Sequence, residues 1–193
     1  MSTLTVLLCG VGGQGTILAA DLLAHAALGA GLDVKVSEIH GMAQRGGAVT
    51  TVVRFGDNVQ SMVCDPGMAD VVVSFETTEA LRNQDQRASS GTMIVNDEAI
   101  KPLPVLTGKA QMPAQARRDL ADAGALLVPA EQLAREAGNA KASNVVLLGA
   151  LSARLDFPVE VWEATIAKRV PPKTIEANGA AFRLGRDFVL EKA

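Results

Sequence analysis

A glycine-rich stretch near the N-terminus reads Cys9-Gly10-Val11-Gly12-Gly13-Gln14-Gly15-Thr16. It follows the apolar run 4–9 and precedes a long, alanine-rich apolar segment. Three of its glycines have the G-x-G-x-x-G spacing of a strand, a tight turn and a helix that together bind phosphate. Without a Cβ the backbone can turn sharply and approach a ligand, and the N–H groups of the helix N-terminus then face an anion. The stretch therefore predicts a phosphate-binding βα unit.

A second glycine loop reads Glu38-Ile39-His40-Gly41-Met42-Ala43-Gln44-Arg45-Gly46-Gly47. It follows a predicted strand at 33–37, and the helix predicted at 14–30 suits a right-handed βαβ crossover between the first two strands. In that arrangement Glu38 lies at the carboxyl edge of the sheet beside the first loop, where open α/β sheets bind ligands. Glu38 is also placed where a nicotinamide or flavin site has its acidic ribose ligand, but a second glycine loop is an unusual sequel for such a site.

The two loops together favour a ligand that carries several phosphates, such as coenzyme A. The guanidinium of Arg45 presents a planar set of donors that matches phosphate geometry. Because the loop containing Arg45 joins two predicted strands, its N–H groups can converge with those of the first loop on one crevice.

The rest of the chain predicts an α/β fold with a Rossmann-like, mostly parallel sheet and helices on both faces. The pattern in 48–63 predicts a β-hairpin insertion, formed by a strand at 48–55 and an antiparallel return at 59–63. Further strands are predicted at 69–75, 92–95 and 125–128, with Thr77 or Thr78 capping the helix after the first of these. The proline-containing segment 101–113 predicts a loop with one edge strand. Residues 143–193 form a helical C-terminal extension, and we expect one domain over 1–193.

Composition excludes several classes of function. The net charge is −3 without a basic run, which argues against a nucleic-acid-binding protein. No apolar run reaches the ~20 residues of a membrane span, so a cytoplasmic protein is expected. Cys9 and Cys64 are too few and too far apart for a cluster or metal site, and Cys9 is expected to be a small buried apolar residue. No set of nucleophile, base and acid emerges either, so no catalytic or metal-binding residue is predicted.

These motifs resemble the gamma-type domain of the 2-oxoacid:ferredoxin oxidoreductases, and within that family the beta subunits of the indolepyruvate type. The resemblance rests on the first glycine loop, on the run from Val36 to Gly47, and on Val53-Arg54-Phe55-Gly56. Weaker similarity continues to the C-terminal helices. The run His-Gly-Met-Ala-Gln-Arg-Gly-Gly at 40–47 is far more specific than the first loop.

The resemblance implies a division of labour between two subunits. A large partner subunit carries thiamine diphosphate and iron–sulfur clusters, decarboxylates the 2-oxoacid and passes electrons to ferredoxin, while the acyl group leaves on coenzyme A. The gamma-type domain helps to hold coenzyme A. Residue by residue, the resemblance assigns this role to nine positions: Gly10, Gly12, Gly13, Gln14, Gly15, Gln44, Arg45, Gly46 and Gly47. Glu38 is added to these predicted ligand residues because of its place at the edge of the sheet. Some relatives have lysine in the second loop, where this chain has Gln44 and Arg45.

Two alternatives stay open at the level of sequence. The same module can serve another 2-oxoacid, such as pyruvate, a branched-chain acid or 2-oxoglutarate, because substrate choice resides largely in the partner. A free-standing nucleotide-binding module without redox chemistry is the alternative from a different class.

Overall fold

The protein is described by a computed structural model over residues 2–40 and 47–192, with the side chain of His40 excepted. Within these described residues, six strands form a mixed sheet: β1 (Leu4–Val11), β2 (Asp33–His40), β3 (Ala48–Gly56), β4 (Ala69–Ser74), β5 (Arg87–Asn96) and β6 (Leu126–Val128). Their order across the sheet is β2-β3-β1-β4-β5-β6. Strands β1, β4, β5 and β6 run parallel, whereas β3 is antiparallel to both of its neighbours, β1 and β2. The predicted α/β class with a mostly parallel sheet is confirmed.

The part of the chain that the structure describes also contains eight α-helices around the sheet: α1 (Thr16–Gly29), α2 (Thr77–Arg82), α3 (Leu103–Leu106), α4 (Ala116–Asp122), α5 (Ala130–Glu136), α6 (Ser143–Ser152), α7 (Val159–Arg169) and α8 (Ile175–Leu190). Alternate residues of each strand point to opposite faces of the sheet. On one face, Val6 and Leu8 of β1 belong to a large core with residues of α1, α5, α6, α7 and α8. On the other face, Leu7 and Cys9 pack with residues of α2 and α4. Among the described residues, no helix is long and apolar enough to cross a membrane.

The hairpin has different partners from those predicted. Residues 48–55 do form a strand, but β3 pairs with β2 and β1, and residues 59–63 join no strand. That segment is held by side chains instead: Arg54 donates to the carbonyls of Ser61 and Val63 at 2.9 Å each, and Asp33 accepts from the Val59 N–H at 2.8 Å. The prediction of a 59–63 return strand was therefore wrong.

The crossover also differs from a plain βαβ unit. Strand β2 has the same direction as β1, but β3 lies between them. The hairpin formed by β2 and β3 folds back so that β3, and not β2, takes the place beside β1. Residues at the end of β2 are thus separated from β1 by a full strand.

Two smaller predictions were also wrong. The segment 101–113 contains the short helix α3 and no strand. Helix α2 is capped by Glu76, not by Thr77 or Thr78, and the Glu76 carboxylate accepts hydrogen bonds from the N–H groups of Thr78 and Glu79.

The C-terminal helices pack unusually closely. A Cβ on Gly149 of α6 would lie 2.0 Å from the Phe182 carbonyl oxygen of α8, and one on Gly185 would lie 1.9 Å from the Val146 oxygen. The two helices can approach this closely because glycine stands at both crossing positions. Beside them, a chain of aromatic contacts runs from Phe157 through Trp162 to Phe182, with ring centroids 5.6 Å and 5.8 Å apart. This closely packed helical layer contacts α1, the helix that follows the first glycine loop.

Candidate functional site

The candidate site lies where the carboxyl ends of β1, β4 and β5 meet. Helix α1 follows β1 on one face of the sheet and α2 follows β4 on the other, so a crevice opens between the two strands. A cleft of about 470 Å³ occupies it, lined by Gly13, Gln14, Phe75, Asn96, Glu98, Ile100, Glu131, Lys141 and Ser143. Two other clefts of about 510 Å³ lie along the segment 101–118 and are lined by other residues.

Gly10 and Gln14 fix the shape of the first glycine loop. The Gln14 side chain accepts a hydrogen bond from the Val11 N–H and donates one to the Phe75 carbonyl, both at 2.8 Å. A Cβ on Gly10 would lie 2.7 Å from the Gln14 amide oxygen and 2.8 Å from the Phe75 Cβ, so only glycine fits there. These two predicted ligand residues tie the loop to the end of β4, and the Gln14 amide is already engaged within the protein.

Gly13 and Gly15 both have left-handed backbone angles, with φ of 101° and 79°. Gly13 is exposed, and a Cβ there would meet no atom within 4 Å, so its backbone is open to the cleft. Gly15 is packed against Asn144 of α6, whose amide donates to the Gly15 carbonyl at 3.3 Å. Asn144 is 5 % exposed and thereby holds the N-terminus of α1 from the neighbouring helix.

The N-termini of α1 and α2 differ in what they offer a ligand. The N-cap of α1 is Gly15, which has no side chain that can accept from the N–H groups of the first turn. At α2 those groups are taken by the carboxylate of Glu76. A 14-residue helix with a glycine N-cap presents the partial positive charge of its dipole to the crevice. The arrangement favours an anion at α1.

The structure brings the end of the second loop against the first. The Gly12 N–H donates to the Gly47 carbonyl at 2.9 Å, so the two predicted loops meet at one edge of the sheet. The Gly12 N–H is therefore engaged within the protein. Gln44, Arg45 and Gly46 lie outside the described residues.

Glu38 is farther from the first loop than the simple crossover predicted. It pairs with Thr51 of β3, which in turn pairs with Leu8 of β1. Two strand spacings, about 10 Å, therefore separate the Glu38 backbone from that of β1. The Glu38 side chain is exposed. This position does not match a ribose ligand directly beside β1, and a role in binding stays a prediction.

Carboxyl groups line the far side of the cleft. Glu98 follows β5 and accepts a hydrogen bond from the Asn96 amide at 3.3 Å, and Glu131 of α5 lines the same cleft. Partial burial, the hydrogen bond to Glu131 and the charges of Glu131 and Glu76 raise the pKa of Glu98 from its ordinary 4.5 to about 7. Lys141 lines the same cleft.

Four residues at this site were not among the predicted site residues: Asn144, Glu98, Glu131 and Lys141. Asn144 opens an almost wholly apolar helix, and a polar residue in such a place was the one available signal. The other three lie in ordinary polar segments and meet only through the order of β5, α5 and α6. In the described parts of the chain, no group of three or more His, Cys, Asp or Glu side chains is placed to hold a metal ion.

The sequence of this chain is similar to those of known oxidoreductase subunits. The sequence matches the family described as pyruvate ferredoxin/flavodoxin oxidoreductase over residues 5–188. The chain belongs to this family. It is 43 % identical over 192 residues to the indolepyruvate oxidoreductase subunit IorB of Thermococcus kodakarensis, covering 96 % of this chain and 95 % of that protein.

Solved structures of related oxidoreductases have the same fold. The gamma subunit of a keto/oxoacid ferredoxin oxidoreductase from Geobacter sulfurreducens superposes with a TM-score of 0.72 at 24 % identity, covering 97 % of this chain and 99 % of that one. A 2-oxoglutarate:ferredoxin oxidoreductase from Magnetococcus marinus, with 2-oxoglutarate, coenzyme A and succinyl-CoA bound, gives a TM-score of 0.74 at 21 % identity. It covers 99 % of this chain, which spans 32 % of that longer one. The homologues of this chain are thus subunits of 2-oxoacid:ferredoxin oxidoreductases, or segments of their longer chains.

Proposed function

We propose that this chain is the small subunit of an indolepyruvate-type ferredoxin oxidoreductase and helps to bind coenzyme A. In this proposal a large partner subunit holds thiamine diphosphate and the iron–sulfur clusters and passes electrons to ferredoxin. The chain itself holds neither group and supplies no acid, base or nucleophile. Its 43 % identity to an indolepyruvate oxidoreductase subunit along nearly the whole chain supports the substrate class.

The observation that carries the coenzyme A role is the uncapped N-terminus of α1. Its first-turn N–H groups open beside Gly13, at the point where the two glycine loops meet through Gly12 and Gly47. A phosphate can accept there from the backbone without displacing a side chain. Gln44, Arg45 and Gly46 would reach the same ligand from the second loop, with the Arg45 guanidinium as its cation.

Binding of this kind contributes to the reaction by positioning. A thiol that is held in place by its phosphorylated tail reacts at a far higher effective concentration than one that diffuses freely. Donors that are fixed by the fold need no rearrangement when the ligand arrives. In this chain Gln14, Gly10 and Asn144 supply that rigidity, because they lock the loop to β4 and to α6.

The test is co-expression with a candidate large subunit that carries thiamine-binding and ferredoxin-like cysteine motifs, followed by an assay of viologen reduction. The substrates are indolepyruvate, pyruvate, 2-oxoglutarate and a branched-chain 2-oxoacid, each with and without coenzyme A. We expect coenzyme A-dependent reduction that is fastest with indolepyruvate.

Two other outcomes would change the proposal. Fastest reduction with 2-oxoglutarate, the acid bound in the Magnetococcus protein, would replace the substrate and keep the subunit role. No stable complex, together with tight binding of a nucleotide by the chain alone, would contradict the proposal and favour the free-standing module.

A further inference from the structure

The segment 99–118 is positively charged, although the whole chain has a net charge of −3. The two arginines in it pair with Asp97 and Asp122, which flank the segment, whereas no ion pair of its two lysines is found in the described part of the chain. The segment contains no Asp or Glu and four exposed cationic residues: Lys101, Lys109, Arg117 and Arg118.

The same segment presents large apolar side chains to solvent. Leu103 and Leu106 of the short helix α3 are 72 % and 66 % exposed. The turn that follows α3 is closed by its backbone, because the N–H groups of Lys109 and Ala110 donate to the Pro104 carbonyl at 2.8 Å and 3.1 Å. Neighbouring exposed leucines on a folded loop are typical of a surface that another molecule covers.

Two clefts of about 510 Å³ each lie along this segment and have Met112 and Pro113 in common. The first is lined largely by apolar residues of α2 and of the α3 region, and the second by three of the four cations. Among the described residues, no Asp or Glu lines either cleft. This surface complements a polypeptide segment that carries carboxylates beside apolar side chains.

The cationic cleft adjoins the candidate site. Glu98 and Ile100 line the cleft at the first glycine loop, whereas the alternate residues Ala99 and Lys101 line the cationic cleft. The stretch 98–101 is therefore a wall that the two clefts share. A molecule that fills the cationic cleft lies directly beside the candidate site.

We propose that the segment 99–118 is a docking surface for an acidic segment of the large partner subunit. The proposal rests on the proposed function, in which that subunit brings thiamine diphosphate to the coenzyme A held by this chain. A partner on this surface covers the exposed leucines and reaches the edge of the sheet where the candidate site opens. The leucines favour a permanent subunit over a transient electron acceptor such as ferredoxin, because permanent interfaces are the more apolar and redox encounters are small.

The experiment measures the dissociation constant of the co-expressed complex by mass photometry on dilution, at low and at high salt. One variant is Lys101→Glu, and the other combines Leu103→Ser with Leu106→Ser. The matched controls are Lys168→Glu on α7 and Leu190→Ser on α8, which make the same changes at exposed positions of helices that pack on the other face of the sheet. Urea unfolding of each variant checks that its fold is kept.

We expect Lys101→Glu to raise the dissociation constant about tenfold at low salt, because an attraction becomes a repulsion, and to raise it less at high salt. The double leucine variant should raise it at least tenfold, roughly, at both salt concentrations, since lost apolar burial is not screened. Both controls should match the wild type. The charge variant and the leucine variant are independent, so the test stays decisive if one of them folds poorly.

Four outcomes would contradict the docking surface. Wild-type affinity in both segment variants would overturn it and leave the proposed function intact. Unchanged affinity with slower reduction of ferredoxin, but not of viologen, would assign the surface to the electron acceptor instead. Dimers of the chain alone that the leucine variant abolishes would assign it to a second copy. Failure of the wild-type chains to form a complex would overturn both the docking surface and the proposed function.

Discussion

Replacing Gln14 by alanine tests whether this side chain shapes the glycine loop. The amide bridges the Val11 N–H and the Phe75 carbonyl with two hydrogen bonds of 2.8 Å each. Each such bond contributes about 1 kcal/mol net, and a buried group that loses its partner costs a further 1–3 kcal/mol, roughly. Val11 and Phe75 are 8 % and 2 % exposed, so both lost partners are poorly placed to find water.

Of the two backbone groups that Gln14 bridges, the Phe75 carbonyl has a second donor. The Asn96 amide also donates to the Phe75 carbonyl, at 3.2 Å, and this bond survives the substitution. The full penalty therefore applies mainly to the Val11 N–H. The free energy of unfolding should fall by about 2 kcal/mol in Gln14→Ala.

The assay is urea unfolding of the full chain, followed by fluorescence of Trp162. The sequence has one tryptophan, and it is fully buried beside Phe157 and Phe182, so its signal reports the loss of the core. Gln60→Ala is the control, because Gln60 is exposed and its amide donates a hydrogen bond to the side chain of Asn58 at the surface. The control should stay within about 0.5 kcal/mol of the wild type. A Gln14→Ala protein as stable as this control would refute a structural role for the amide.

Further predictions concern the helix crossing, the support of the loop and the pKa of Glu98. Gly149→Ala should destabilise the fold by about 3 kcal/mol in the same unfolding assay, because its Cβ would overlap the Phe182 carbonyl of α8. Asn144→Ala should weaken coenzyme A binding several-fold, measured by calorimetry, since the carbonyl of Gly15 loses its support from α6. In the wild type we expect the free energy of unfolding to fall as the pH rises, and Glu98→Gln should remove this fall. The pKa of Glu98 rises to about 7 on folding, so the native state holds a proton that the unfolded chain has lost. Between pH 4.5 and 7 the unfolding free energy therefore falls, by about 1 kcal/mol once solvent screening is included.

Matched controls separate these effects from general damage. Gly179 lies on α8, and the side-chain atom nearest to a Cβ added there is 3.7 Å away. Gly179→Ala should therefore raise the free energy of unfolding slightly, because alanine has the higher helix propensity. Equal losses in Gly149→Ala and Gly179→Ala would contradict the close crossing of α6 and α8. Glu136→Gln should keep the wild-type decline of stability with pH, and a Glu98→Gln protein that also keeps it would show that Glu98 does not hold the proton.

The fold was predictable wherever local sequence patterns decide structure. The βα unit around Gly10 to Gly15, the buried strands and the helical C-terminal part all follow from hydrophobic runs bounded by glycine or proline. Strand pairing was not predictable in the same way. The segment 59–63 has the composition of a strand, yet β3 pairs on both sides with β1 and β2, and no ladder position is left for it. The competing partners lie far away in sequence, and no local pattern reveals them.

In the candidate site, too, the features that follow from local sequence were predictable and those that depend on tertiary structure were not. Both glycine loops were visible in the sequence, and the contact between Gly12 and Gly47 agrees with their predicted convergence. The carboxyl pair was not visible, because Glu98 and Glu131 are ordinary surface residue types on different elements. Their proximity arises from the parallel pairing of β5 with β6, which sets α5 over the end of β5. Side chains that meet through tertiary structure alone leave no periodic or spaced signal in the sequence.

The central claim is that the two glycine loops hold the phosphates of coenzyme A. Calorimetry on the complex with the large subunit tests it most directly, with Arg45→Ala compared to wild type. Arg183→Ala is the control, because Arg183 is exposed on α8 and pairs with Glu163. We expect Arg45→Ala to raise the dissociation constant of coenzyme A at least tenfold, roughly the value of one charged hydrogen bond, and Arg183→Ala to leave it unchanged. Equal affinities in all three proteins would contradict the claim.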